Sequence, residues 1–430
     1  MQTNYIINII LLFLYYASYI IQPVYISLII GTLFLVFILF INPIFNLLHF
    51  FYLILPSIYK FNLIENSYAT GIYFFTYIDI TIIAGFLCLI RNIIFIKKIE
   101  KKYLFLIYLF VFVFYSIQFI LFFDNEITIS QGSTYTLKAL LYINALFFFN
   151  QTSIDKLEKN LKEIIIVSAI LYLTTFFSGF YTFFIVSFLP LILKIKKNYY
   201  YFIIFLWSSI VLFYKFFNFS LNDLTQSHLL LYLISFLIFL NFHNFILKNK
   251  IILFLLFNIS FLIFCIIYYF HPVLTEFLNN NYENIFETNN YFYIKLLLDR
   301  MPLWLASIEQ SNFLFGNFGN LSLDGYKNAV SVTDEWSYGS HNYFIEMCYK
   351  AGFVISLSLF LIFNIFLFET ASLILKKKTN YVKDGFFIMF YYVLISLFIV
   401  WGFVGNSFFE NIGLLFYMIS GSIYSVFKKF

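Results

Sequence analysis

Long apolar runs constrain this chain more than any other feature of its sequence. Of its 430 residues, 62% are hydrophobic and only 11% are charged, whereas a soluble domain has about 25% charged residues. The apolar residues form runs close to the ~20 residues with which a helix crosses a bilayer, instead of amphipathic stripes. The polar breaks predict fourteen spans: 5–21, 24–41, 44–59, 72–94, 103–123, 135–150, 161–178, 180–195, 199–217, 228–247, 251–270, 344–368, 385–405 and 409–427.

The breaks at Gln22-Pro23 and Ser178-Gly179 are so short that either hairpin could be a single broken segment. We therefore expect an all-α integral membrane protein with about 12 to 14 transmembrane helices. One large extracytoplasmic loop with short interfacial helices completes the predicted fold.

The basic residues predict the orientation of these spans. With fourteen spans, 19 basic residues lie on one face and 4 in the loops of the other. The positive-inside rule makes the first face cytoplasmic, so we expect both termini in the cytoplasm. Because the clusters are short and scattered, they do not indicate nucleic-acid binding. They fall at 91–102, 156–162, 194–197, 248–250, 376–383 and 428–429.

The long polar segment 271–343 divides the chain into three parts. A bundle of about eleven spans precedes it (1–270), and one of about three spans follows it (344–430). The charge count places this loop outside the cytoplasm. It carries eight carboxylates against three basic residues, and connections beyond about 15 residues are usually functional or disordered. We expect the Asn-rich stretch 279–290 to be a flexible tether and 291–310 to form interfacial helices.

Arg300 and Trp304 lie four residues apart in this loop, and hence on one helix face. Pro302 is best tolerated in a first helical turn, which predicts a helix beginning at Asp299 or Arg300. Arg300 would then lie at the positive end of the helix dipole, where a phosphate would relieve the repulsion. Two alternatives remain open: pairing with Asp299 or Glu309, and snorkelling of Arg300 to lipid headgroups.

A histidine lies where the loop returns to the membrane, in Ser340-His341-Asn342. Histidine can abstract a proton near neutral pH, and we expect His341 on the same side of the membrane as Arg300. The alternative is an interfacial histidine that only hydrogen-bonds neighbouring backbone. Between the two motifs, the turn Gly316-Asn-Phe-Gly319 is either a phosphate cradle or an ordinary loop.

The order and shared side of these motifs resemble the bacterial O-antigen polymerase and O-antigen ligase family. The resemblance covers about residues 296–360 and consists of an Arg-x-x-x-Trp helix at Arg300, a Phe-Gly-x-x-Gly turn at Gly316, His341-Asn342, and Ala351-Gly352. It implies glycosyl transfer on the outer face of the bacterial inner membrane, without a metal or another cofactor. The implied partners are an undecaprenyl-diphosphate-linked oligosaccharide donor, a glycan acceptor, membrane lipid and a chain-length regulator.

A second signature of this family is Thr-x-Ser-Arg at the outer start of an earlier span, and its arginine is thought to grip the donor diphosphate. The matching stretch here is Thr225-Gln-Ser-His228, so a clamp of two arginines would lack one cation. Lysines just inside the outer boundary of their spans could supply it, since charge within a membrane is costly and usually functional. These are Lys138, Lys215 and Lys350, with outward snorkelling as the alternative.

The resemblance and the outward side of these residues together predict a mechanism. Arg300, helped by His228 or a lysine, would neutralise the departing diphosphate. His341 would act as general base on the acceptor hydroxyl.

Three further residues are given supporting roles. Asn342 and Glu346 would orient His341 from the same helix. Trp304 would stack on a sugar or belong to an interfacial aromatic belt.

We expect a polymerase, because the departure at His228 fits the more divergent polymerases better than the ligases. A ligase that transfers the glycan to a lipid A core acceptor is the first alternative. A lipid-linked-oligosaccharide flippase or transporter is the second, although such proteins usually show internal repeats and charges near mid-membrane.

Overall fold

The computed structural model describes residues 2–21, 24–41, 47–59, 80–123, 131–148, 154–174, 250–288, 293–319, 321–327, 342–376 and 411–428. Within these ranges the regular structure is helical and contains no strand. Four predicted spans, 180–195, 199–217, 228–247 and 385–405, lie wholly outside the described residues, so the span count stays a prediction. The described α-helices are α1 (Gln2–Ile21), α2 (Val24–Val36), α3 (Leu47–Tyr59), α4 (Ile80–Ile94), α5 (Lys102–Phe123), α6 (Gln131–Ile143), α7 (Ile154–Thr174), α8 (Lys250–Glu287), α9 (Met301–Glu309), α10 (Tyr343–Ala351), α11 (Phe353–Lys376) and α12 (Asn411–Lys428).

Three of these helices are long and apolar enough to cross a membrane. They comprise Lys102–Phe122 in α5, Asn258–Glu287 in α8 and Phe353–Thr370 in α11. Large apolar side chains on α5, among them Phe110, point away from the rest of the protein. In water such a face would forgo about 25 cal/mol for each Å² of apolar surface left unburied, a loss that lipid removes. The described part of the chain therefore has the character of an all-α membrane protein.

A first core joins α1 to α7 with α11, α12 and one side of α10. Two buried asparagines of this core are hydrogen-bonded to backbone, as a bundle that excludes water favours. The Asn92 amide donates to the Asn144 carbonyl oxygen at 3.0 Å, and the Asn144 amide donates to the Gly85 carbonyl at the same distance. These bonds fasten α4 to the turn that follows α6.

Ion pairs collect at one end of this bundle. Lys101, at the start of α5, pairs with Glu369 of α11. Lys428, at the end of α12, lies 2.9 Å from the Glu100 carboxylate. The contacts bring residues of two basic clusters to the same end of the helices.

A second core is formed by α8, α9, a π-helical segment (Ile294–Arg300) and the other side of α10. In this part the structure corrects the sequence analysis, because α8 passes through position 271 and continues to Glu287. Residues 279–287 are helical and are not a tether. The physical reason is a stripe with helical spacing, Leu278, Tyr282 and Ile285, which packs into the second core despite its Asn-rich surroundings.

The predicted span 344–368 is divided by Gly352 into α10 and α11. Gly352 has φ of +86°, which a residue with a side chain rarely adopts. A Cβ there would also lie 2.9 Å from the Leu314 carbonyl carbon. Beyond the break, the Phe353 amide donates to the Asn312 carbonyl at 3.1 Å. The chain bends at this glycine because the loop 311–319 occupies the space beside it.

The contact between α12 and the turn after α6 is close enough to test. A Cβ on Gly421 would collide with the Leu146 carbonyl oxygen, and a backbone carbonyl cannot retreat as a side-chain tip does. We expect Gly421→Ala to lower the free energy of unfolding by about 1–3 kcal/mol, measured as thermal unfolding in detergent. Gly319→Ala is the matched control, since its Cβ would meet only the Asn317 side chain at 3.4 Å. Equal melting temperatures for the two variants would contradict this packing.

Candidate functional site

The segments that carry the predicted motifs surround α10. Both α8 and α9 pack against this helix, and α6 approaches it from the first core. All nine residues of α10 are buried, including Glu346 and Lys350. Because a buried charge costs several kcal/mol unless it is paired or hydrogen-bonded, the surroundings of these two residues have to supply partners.

Asn342 forms the N-cap of α10. Its Oδ1 accepts from the amides of Phe344 and Ile345 at 3.0 and 3.2 Å. The Ser260 hydroxyl on α8 donates to the same oxygen at 2.5 Å. Asn342 thus satisfies helix-end N–H groups that would otherwise be buried without acceptors. Its predicted role in orienting His341 stays a prediction, because His341 lies outside the described residues.

Lys350 fastens the 311–319 loop to the end of α10. Its Nζ donates to the Gly319 carbonyl at 3.1 Å, and the Tyr349 hydroxyl donates to the same oxygen at 3.3 Å. A cation in the last turn also complements the negative end of the helix dipole. Glu346, one turn earlier, is close enough to interact electrostatically with the ammonium group. Lys350 is therefore an internal anchor of the loop.

The Gly316–Gly319 turn has the features of an ordinary loop. The Asn317 amide donates to the Tyr349 carbonyl at 2.9 Å, and the Gly319 amide donates to the Asn317 side chain at 3.0 Å. Gly316 lies directly against the Lys350 carbonyl, where a side chain would overlap the backbone. Since the protein uses these N–H groups itself, the phosphate-cradle interpretation is wrong for this conformation.

Arg300 does not lie at a free helix N-terminus, which corrects a second expectation. The helical stretch is already π-helical over Ile294–Arg300 and continues directly into α9, with Pro302 in the first turn of that helix. The Met301 amide donates to the Leu296 carbonyl. Free N–H groups therefore do not assist an anion at this position. The half-buried guanidinium of Arg300 itself remains the candidate cation of the segment.

Trp304 lies inside the second core. Its side chain is 3% exposed and packs in one cluster with Leu298 and Phe344. Sugar stacking and an interfacial belt both require an exposed indole, so neither describes Trp304 as it is packed here. Its burial follows from its position on the side of α9 that faces α8 and α10.

The remaining predicted cations are only partly within the described residues. His228 and Lys215 lie outside them, as does the histidine at 341. Lys138 is described and buried in α6, with its ammonium 5.7 Å from the centre of the Tyr142 ring. The structure thus brings together Arg300, Trp304, Asn342, Glu346 and Lys350 in neighbouring helices, while the other predicted roles stay untested.

A chain of hydrogen bonds that no sequence motif predicted links α8, α9 and Tyr326. The Tyr326 hydroxyl donates to Glu309 Oε2 at 2.5 Å and lies 3.2 Å from His271 Nε2. Burial, and then the hydrogen bond to Glu309, raise the pKa of Tyr326, so the phenol keeps its proton. Because that proton goes to the carboxylate, the phenol oxygen is left as an acceptor for a proton on His271 Nε2, which also lies 3.2 Å from the Leu305 carbonyl oxygen.

Tyr326 lies 55 positions from His271 and 17 positions from Glu309 in the chain. No periodic pattern relates the three residues. The only local signal was His271 beside Pro272 at the end of an apolar run. In the sequence this position marks only the predicted end of a span.

Residues 321–327, here called the strap, are hydrogen-bonded both to α8 and to the residue that follows α9. The Gln310 side chain donates to the Ser322 carbonyl at 2.6 Å and accepts from the Ser322 amide at 3.1 Å. On α8, the Asn279 amide donates to the Gly325 carbonyl at 3.4 Å. The described residues 321–327 of the predicted outer loop are therefore held against helices.

Comparison of the chain with protein-family models, with curated proteins and with solved structures finds no match in any of the three. Among the described residues, no group of three or more His, Cys, Asp and Glu side chains could hold a metal ion. The site is therefore interpreted from its own residues.

Removal of the Tyr326 hydroxyl should loosen the strap. Tyr326→Phe deletes both the donor to Glu309 and the acceptor for His271, and hydrogen bonds to charged groups contribute about 1.5–3 kcal/mol. We expect amide hydrogen exchange of residues 321–327 to accelerate by about tenfold or more. Tyr268→Phe on the exposed side of α8 is the matched control and should leave exchange in the strap unchanged. Equal exchange rates in both variants would contradict the predicted role of the hydroxyl.

Proposed function

We propose that this chain is a membrane glycosyltransferase of the O-antigen polymerase type. In this proposal it acts in the bacterial inner membrane, with both termini in the cytoplasm. It transfers an undecaprenyl-diphosphate-linked oligosaccharide to a growing glycan on the outer face. One observation supports this interpretation above the others: the segments that carry the resemblance, 296–309, 311–319 and 342–352, pack against one another around α10.

The proposed reaction needs a cation at the leaving group and a base at the acceptor. The acceptor oxygen forms a bond to the anomeric carbon while the bond from that carbon to the diphosphate oxygen breaks. The diphosphate leaves with the electron pair, and Arg300 would stabilise its charge. The proton of the acceptor hydroxyl would pass to His341. His228 and Lys215 keep their predicted part as further cations for the donor.

The other predicted site residues contact protein groups, which favours structural roles for them in the proposal. Lys350 holds the turn at Gly319, Asn342 caps α10, and Trp304 fills the second core. In the proposal these three residues position Arg300 and do not contact substrate, because their polar atoms or rings face the protein interior. Glu346 supports the buried ammonium of Lys350.

Arg300 is the residue on which the proposal is most easily tested. Arg300→Ala should abolish polymer in cells while the protein remains in the membrane, since loss of one group that stabilises transition-state charge costs about 10²–10³ in rate. Arg300→Lys, which keeps the charge but not the planar fork, should retain part of the activity. Lys327→Ala removes an exposed cation of the strap and is the control with expected normal polymer. Normal polymer length in Arg300→Ala would contradict the mechanism.

Purified protein distinguishes the proposed enzyme from a flippase. Incubation in detergent with a lipid-linked repeat unit should yield polymer without added metal or nucleotide sugar. Transfer to a lipid A core acceptor without polymer formation would identify a ligase. Unchanged repeat unit, together with its translocation across vesicles that contain the protein, would identify a flippase and contradict the proposal.

A further inference from the structure

The 311–319 loop is irregular, yet it contacts two helices of transmembrane character. The Phe318 ring packs against the rings of Tyr115 and Phe122 on α5, with centroids 5.5 and 4.9 Å apart. The loop also packs beside the start of α11, where the Phe313 ring lies 5.9 Å from that of Phe353. A loop exposed to water beyond the membrane would not be expected to extend along the apolar part of α5.

The depth of these contacts follows from the ion pair between Lys101 and Glu369, which sets α5 and α11 at a common level. At 1.5 Å of rise per residue, Gln118 lies about 25 Å from Lys101 and Phe353 about 24 Å from Glu369. Both distances are shorter than the ~30 Å of a hydrocarbon core. If the ion pair marks one boundary of that core, the loop contacts α5 and α11 inside the opposite boundary. The two antiparallel helices, both measured from this ion pair, give the same level.

Several backbone groups of the loop are hydrogen-bonded to protein groups. Irregular backbone is tolerated within a membrane only where protein groups or enclosed water pair its N–H and C=O groups. Asn312 Oδ1 accepts from the Leu314 and Phe315 amides at 3.0 and 3.3 Å. The Gln118 side chain contacts both the Leu314 carbonyl and the Gly316 amide, at 3.5 and 3.4 Å.

The start of α11 completes this pairing. The Phe353 amide donates to the Asn312 carbonyl at 3.1 Å, and the Val354 amide donates to the Phe313 carbonyl at 3.2 Å. The carbonyl groups of the loop thereby take the place of the missing preceding turn of α11. These bonds replace water for several backbone groups of the loop.

Three consecutive apolar side chains of the same loop point away from the protein. Phe313, Leu314 and Phe315 are 66%, 46% and 52% exposed, and they are consecutive. The Phe315 ring lies 6.4 Å from that of Phe114 on α5, which in turn stacks on Phe110 at 6.2 Å. This places the exposed apolar residues of the loop next to the exposed apolar face of a candidate transmembrane helix.

We propose that residues 312–316 form a re-entrant loop, whose three apolar side chains contact the acyl chains of the bilayer. Lipid is the expected contact for three reasons. The exposed side chains continue the apolar face of α5, the loop lies at membrane depth, and protein groups pair several of its backbone groups. The inference does not depend on the proposed reaction. It replaces the aqueous location that the sequence predicts for this part of the loop.

Spin-label accessibility in proteoliposomes tests the location. In a Cys265→Ala background, which removes an exposed native thiol, Leu314→Cys is labelled in detergent with a nitroxide and the full chain is reconstituted. Oxygen concentrates in the bilayer and a nickel chelate stays in water. We expect oxygen to relax the label at least several-fold more effectively than the chelate.

Two matched positions calibrate the measurement. Ile117→Cys, on the exposed face of α5, should behave like Leu314→Cys, whereas Asp324→Cys, on the exposed strap, should favour the chelate. Chelate accessibility at 314 equal to that at 324 would overturn the proposal. Low accessibility to both reagents would mean that protein, such as a second copy of the chain, covers the loop, and would overturn it as well. If Leu314→Cys does not fold, Phe313→Cys gives the same decision.

Discussion

Complete burial of α10 is the constraint on which the rest of the described structure depends. The helix has nine residues, among them Glu346 and Lys350, and every one is enclosed. So short a helix cannot satisfy its own ends, because the first N–H and last C=O groups have no intrahelical partner. Asn342 and Ser260 close one end, and Gly352 with the 311–319 loop closes the other. Each closure draws a distant part of the chain against the same helix.

This burial explains the organisation of the polar segment between α8 and α11. α9 covers one side of α10. The 311–319 loop that follows α9 then contacts the C-terminal end of α10. The strap then carries the chain back along α8 through Gln310, Tyr326 and His271. The described parts of a segment with the composition of a solvent-exposed loop thus contact apolar helices. In the proposed enzyme, the same contacts would hold Arg300 at a constant position beside the membrane.

Apolar length could be interpreted from the sequence more reliably than the packing of individual side chains. Apolar runs predicted helices at α1, α5 and α11, since hydrophobic length is a local property. The prediction failed at 279–287, where the Asn-rich composition concealed the stripe of Leu278, Tyr282 and Ile285. It failed at Trp304 for a related reason: an aromatic residue near a membrane surface has the same sequence signal whether it faces a ligand or a core. His271, Tyr326 and Glu309 form a unit that no spacing indicates.

The sequence by itself determined the helical class and the membrane character, because these depend on composition and on the length of apolar runs. The described tertiary structure decided which charges are buried, where α10 and α11 separate, and how the 311–319 loop is held. Those outcomes depend on contacts between residues that are up to about two hundred positions apart, such as Gln118 with Gly316. The long polar segment began as a compositional exception. Its packing against α5 and α10 makes part of it an element of the membrane bundle, since a buried backbone group has to find its partner wherever the fold provides one.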